Sequence, residues 1–102
     1  MQSDIRRLIG KRIVFAPNRI DAPQPLTCRG PHYEIKDYTS DLLFQGTLTD
    51  PDKQAAALGF TLPKIRTLET GCAGPIDFHF ANANTAMFAL NNRIYRLDRA
   101  AP

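Results

Sequence analysis

The 102-residue chain has no tryptophan and only two serines, Ser3 and Ser40. Neither serine stands in a G-x-S-x-G turn, so a nucleophile elbow is excluded. No G-x-x-x-x-G-K-[ST] or G-x-G-x-x-G stretch occurs, which removes the usual phosphate-cradling loops. Lysine is scarce as well. The basic residues are mostly arginine, at positions 6, 7, 12, 19, 29, 66, 93, 96 and 99. No four of them run together, and the net charge is only +3, so no nucleic-acid partner is expected. No apolar run approaches the ~18 residues of a membrane span, so no transmembrane segment is expected. The opening MQSDIRRLIG lacks a long apolar stretch, and no signal peptide is expected within it. That opening suits a cytosolic start or an initiator Met before a trimmed mature domain.

What is present describes a globular chain. Hydrophobic residues make up 43% and charged residues 23%, which argues against disorder. A chain of this length is expected to form one domain, residues 1–102. Ser3 and Asp4 before Ile5, Leu8 and Ile9, with Gly10 after them, read as a short capped helix. KRIVFA (11–16) reads as a strand. Residues 17–31 hold four of the eight prolines and read as a loop or a lone edge segment. YEIKDY (33–38) and LLFQGTL (42–48) read as two strands joined by a turn at Thr39, Ser40 and Asp41. Asp50, as N-cap, and Pro51 open a one- to two-turn helix that Gly59 ends. IRTLET (65–70) and IDFHF (76–80) read as strands.

The C-terminal segment carries the clearest pattern. TAMFAL (85–90), Asn91-Asn92 and RIYRLD (93–98) read as a hairpin with a two-residue turn. That turn pairs Leu90 with Arg93, Ala89 with Ile94, Phe88 with Tyr95, Met87 with Arg96 and Ala86 with Leu97. One face then carries Ala86, Phe88, Leu90, Tyr95 and Leu97, a core face. The other carries Met87, Ala89, Ile94 and Arg96 and is expected to lie under the N-terminal helix, or to meet a partner. Six or seven short strands at this spacing predict a mainly β fold: a small antiparallel barrel or a strongly curved sheet, with a short N-terminal helix and a one-turn helix near 51–58.

Two stretches raise the question of a site: LTCRGPHY (26–33) and TLETGCAGPIDFHF (67–80). Each has a cysteine beside a Gly-Pro turn and a histidine shortly after. A Cys28–Cys72 disulfide would close a loop of about 44 residues, worth ~3–4 kcal/mol in the chain-entropy picture, and would indicate an oxidising compartment. Cys28, His32, Cys72 and His79 could alternatively form a Cys2His2 zinc site, although Cys-x6-His is a long spacing. Two unpaired cysteines are the third reading. His79 falls out of phase with Ile76, Phe78 and Phe80 and is expected to face solvent. Glu34 and Asp77 are also expected to face water. No catalytic constellation and no cofactor are expected. Arg29, His32, Tyr33, Tyr38, Arg93, Tyr95 and Arg96 are residue types enriched at binding hot spots and form the candidate binding surface.

LIGKRIVF near the start and FALNNRIYRLDR near the end resemble the framing of small lipocalin-like barrels of bacterial envelopes, such as META-type domains and the periplasmic inhibitors of C-type lysozyme. Leu8, Gly10 and Ile13 match the L-x-G-x-W opening of those families, but its tryptophan is missing. PHYEIKDYTSDLLFQG and TLETGCAGPIDFHF are similar to segments of small uncharacterised proteobacterial proteins. The resemblance implies a closed barrel and a periplasmic or secreted location, with the cytoplasm as the alternative. No functional residue carries over, because the inhibitors' active loop has no counterpart in this chain. The expected function is a non-catalytic binding module of the envelope, an inhibitor of or adaptor for a protein partner. The alternatives are a lipocalin-like carrier of a small apolar ligand or haem, and a Cys/His metal-dependent enzyme.

Overall fold

The computed structural model describes residues 13–24, 26–72, 76–90 and 93–99. The expected N-terminal helix and the Asn91-Asn92 turn lie outside them. The chain divides into two compact units, each taken by itself. One contains the described residues up to His32 together with Gly71 and Cys72. The other contains Tyr33–Thr70 and the described residues from Ile76 on.

The first unit is a three-stranded antiparallel sheet of β1 (Val14–Ala16), β2 (Arg19–Asp21) and β3 (Cys28–Arg29), in that order. The Pro-rich stretch is therefore not a bare loop. Pro17 and Asn18 form the turn that folds β2 back on β1, with Phe15 opposite Ile20. Proline fixes a turn-compatible φ there and gives up no ladder donor. Ile20 and Leu26 are buried, and Leu26 N–H closes a turn onto the Pro23 carbonyl at 2.9 Å.

The second unit is a five-stranded antiparallel sheet in the order β4 (Glu34–Tyr38), β5 (Ile65–Glu69), β6 (Phe78–Asn82), β7 (Thr85–Leu90) and β8 (Arg93–Asp98). The C-terminal hairpin has the expected register, Leu90 with Arg93 through Ala86 with Leu97. Among the described residues neither sheet closes on itself, so the strand order is open where a barrel was expected. The mainly β class stands, as two antiparallel sheets with two small helical segments.

Those helical segments lie between β4 and β5. Helix α1 (Pro51–Ala57) starts at Pro51, as expected, and Gly59 follows its end at φ +98°. Asp50 makes no side-chain cap. Instead its N–H donates to Gln54 Oε1 at 2.7 Å, so the side chain one turn on satisfies the helix start. LLFQGTL is not a strand. Ser40–Gly46 is a kinked pair of 3₁₀ turns. Leu43 is extended, and Phe44 (φ 51°) and Gln45 (φ 62°) are left-handed, ahead of Gly46 at φ 74°. Two consecutive non-glycine residues with positive φ cost free energy and persist only where surroundings enforce them. The enforcement is burial: Leu43 and Phe44 join Ala55, Phe60, Ile65 and Met87 in one apolar cluster.

That cluster reassigns the two faces of the hairpin. Met87 and Ala89, expected under the N-terminal helix or against a partner, face the core under the 40–46 turns and α1. The opposite face is buried too: Phe78, Ala86 and Phe88 are 3%, 6% and 1% exposed. Ring centroids on that face lie 5.3 Å apart for Phe78–Phe88 and for the stacked pair Phe88–Tyr95. Where the central strands β6 and β7 are covered on both faces, there is no polar side for alternation to report.

Candidate functional site

In the first unit Cys28 and Cys72 are joined by a disulfide with Cα atoms 6.1 Å apart. Gly71 lets the second cysteine reach β3. It sits at φ +66°, and a Cβ there would come within 3.3 Å of the His32 Cβ. Any other residue would be strained in backbone and crowded in side chain. With both sulfurs in the disulfide, no thiolate remains for the Cys2His2 zinc set or for nucleophilic chemistry. Among the described residues, no three His, Cys, Asp or Glu side chains come together as a metal site. Arg29 and His32 are exposed in this unit.

In the second unit His79 is 2% exposed, which corrects the expectation that it faces solvent. It lies opposite Thr67 on β5 and Met87 on β7, on the face covered by the 40–46 turns. Its ring is 5.1 Å from that of Phe44, edge-on, and 5.5 Å from that of Tyr38. Both ring nitrogens are used. Phe44 N–H donates to Nε2 at 3.1 Å, and Nδ1 lies 2.9 Å from Thr67 Oγ1. Because Nε2 accepts, the proton of the neutral ring sits on Nδ1 and is given to Thr67. The Thr67 hydroxyl then donates to the Ile65 carbonyl at 3.4 Å. Burial lowers the His79 pKa to about 4, since a charged ring would lose its water and gain no counter-ion. The left-handed backbone at Phe44 is what turns its N–H toward the ring. His79 therefore holds the strained turns onto the sheet.

A second polar cluster surrounds Tyr38, at the end of β4. Its hydroxyl donates to Glu69 Oε2 and lies 3.4 Å from Asp77 Oδ2. Lys36 Nζ reaches Glu69 Oε1 at 3.0 Å and Glu34 Oε2 at 3.3 Å. The Tyr38 hydrogen bond, then Lys36, holds Glu69 below the usual carboxylate range. Burial, then the Glu69 charge, pushes Asp77 above it. Asp77 is half-buried, not water-facing as expected, whereas Glu34 is exposed. Burial and the two carboxylates raise the Tyr38 pKa, so its hydroxyl stays a donor. Two carboxylates driven apart can serve as acid and base. Here, however, both Glu69 oxygens are occupied by Tyr38 and Lys36, and the cluster ties β4 to β5.

The candidate binding residues are thus divided. Tyr38 is engaged with Glu69, and Tyr33 is half-buried, with its pKa raised by that burial. Arg93, Tyr95 and Arg96 are brought together on β8. Arg93 and Arg96 are exposed, and Tyr95 is stacked on Phe88. Ile94, which the sequence placed on the half-apolar hairpin face, is 43% exposed beside them. Among the described residues β8 has a neighbouring strand on one side only. Its ladder runs without a bulge from Arg93 to Asp98. The phase of that ladder follows from Arg99 N–H, which donates to the Asn84 carbonyl at 2.8 Å. In an antiparallel pair, alternate residues bond inward, so Arg93, Tyr95 and Leu97 bond to β7. The backbone groups of Ile94, Arg96 and Asp98 point away from it. No protein-family model, curated protein or solved structure matches the chain.

Proposed function

We propose that the protein is a non-catalytic binding module of the bacterial periplasm or envelope, acting as an inhibitor of or adaptor for a protein partner, with β8 as its contact strand. One observation carries this reading. β8 presents the outward backbone of Ile94, Arg96 and Asp98 together with exposed Arg93, Ile94 and Arg96 along one unbulged edge. An exposed edge of this kind recognises an extended segment by main-chain hydrogen bonds, and its side chains supply selectivity. The Cys28–Cys72 disulfide supports an oxidising compartment. His79, Tyr38 and Glu69, the groups best placed for chemistry, are engaged in internal hydrogen bonds.

The test is site-specific photo-cross-linking in the native envelope, from a reactive side chain at position 94 and, as control, at exposed Lys53 on α1. A discrete protein adduct from position 94 and none from position 53 is the expected result. Equal labelling from both sites, or turnover of a cell-wall or phosphoester substrate by the isolated protein, overturns the reading.

A further inference from the structure

We infer that the partner at β8 is a second copy of this chain, added antiparallel so that two sheets join across a twofold axis at Leu97. This inference rests on the proposed binding role of β8 and names its occupant.

The argument comes from the order of charges along the strand. Arg96 and Asp98 flank Leu97, and their side chains lie on one face because they are two residues apart. Their backbone groups point outward together, as the Arg99–Asn84 hydrogen bond shows. A twofold axis at Leu97 sets each residue against its mirror position. Arg96 then faces Asp98 of the second copy, and Asp98 faces Arg96. Both members of each pair are outward-bonding, so each pair exchanges two main-chain hydrogen bonds. Side chains directly opposite across such a ladder are close enough to form an ion pair. Within one chain Arg96 Nε already meets Asp98 Oδ1 at 2.8 Å, so both groups extend along the edge at the same height. Both are 64% exposed and lose little water in changing partners.

The competing symmetric registers are poorer. An axis at Arg96 sets Arg96 against Arg96. An axis at Tyr95 sets Ile94 against Arg96 and gives Asp98 no cation. Only the Leu97 axis makes the strand complementary to itself, as an isologous interface requires. The strand runs through Leu97 to Asp98 without proline or bulge, so the edge around the axis is straight.

The experiment is sedimentation velocity over a wide concentration range, with a charge swap. The native protein should show a reversible step to twice the chain mass, weakened by salt. Arg96→Asp alone and Asp98→Arg alone each replace two attractive pairs by repulsive ones, and should each weaken the association about tenfold or more. The double variant Arg96→Asp with Asp98→Arg restores opposite charges across the axis and should recover the association. Lys53→Asp, exposed on α1 and away from β8, should leave it unchanged. Circular dichroism confirms that each variant is folded. If the native protein is monomeric at every concentration, or the double variant is no better than either single one, the inference fails. An adduct from position 94 to a different protein, with a monomeric chain, overturns the second copy but leaves β8 as the contact strand. A monomeric chain with no such adduct overturns both.

Discussion

Acidification should loosen the second unit through His79, by an amount the structure allows to be worked out. In the unfolded chain the ring titrates near its ordinary value of 6.5, and in the folded protein near about 4. The unfolded state therefore takes up the proton first as pH falls. The stability that the neutral ring supports is complete above pH 6.5 and is lost progressively toward pH 4. At pH 4.5 the difference in proton uptake amounts to about 2–3 kcal/mol, a large part of the stability of a small domain. The physical cause is local. A protonated ring cannot accept the Phe44 N–H and would stand charged in a buried site with no carboxylate against it. Tyr38, Thr67, Phe44 and Met87 face it, and the nearest acids, Glu69 and Asp77, are engaged through the Tyr38 hydroxyl. The assay is urea unfolding between pH 7.5 and 4.5 for the native protein and His79→Gln, whose amide can still accept from Phe44 but does not titrate. The carboxylates act equally in both proteins and cancel in the difference. The native protein should lose about 2–3 kcal/mol more than the variant over this range. Parallel curves between pH 6.5 and 4.5 would refute the reasoning.

Three further outcomes are expected. Thr67→Val should cost about 1–2 kcal/mol, because it leaves the His79 Nδ1–H buried without an acceptor, whereas Thr67→Ser should cost less; equal losses in urea unfolding would contradict the assigned tautomer. Cys28→Ser should cost about 4 kcal/mol in the chain-entropy picture for a separation of 44 residues; an unchanged denaturant midpoint, with and without reductant, would show that the staple contributes nothing. Tyr38→Phe should raise the pKa of Glu69, which loses its leading hydrogen bond; carboxyl titration by NMR reads this directly, and an unmoved Glu69 would mean that Lys36 alone sets it.

Much of the fold can be read from the residues, and the exceptions share a cause. The hairpin register followed from two asparagines between two β-rich hexads, because a two-residue turn permits one pairing. Pro51 and Gly59 bracketed α1 through their backbone constraints alone. LLFQGTL misled because local β propensity is a weak prior, and the left-handed Phe44 and Gln45 are stabilised by tertiary burial that propensity cannot register. His79 misled for a related reason. Alternation assigns one face to water, but β6 and β7 are covered on both faces, so His79, pointing away from Phe78, is as buried as Phe78 is. The disulfide was readable as a pairing of two turn-flanked cysteines, though its choice over zinc needed the geometry. The proposed contact strand was partly visible: Arg93, Tyr95 and Arg96 stood out by residue type. The outward phase of Ile94, Arg96 and Asp98 is implied by a two-residue turn, whose flanking pair Leu90–Arg93 bonds inward, and the Arg99–Asn84 hydrogen bond agrees with it.

The most direct test of β8 as the contact strand is residue-resolved amide hydrogen exchange on the protein alone and on the protein with the partner captured from position 94. In the free protein, the amides of Ile94, Arg96 and Asp98 should exchange quickly while those of Tyr95 and Leu97 are protected. In the complex the first three should slow together. Unchanged exchange at Ile94, Arg96 and Asp98, with new protection elsewhere in the chain, would contradict the account.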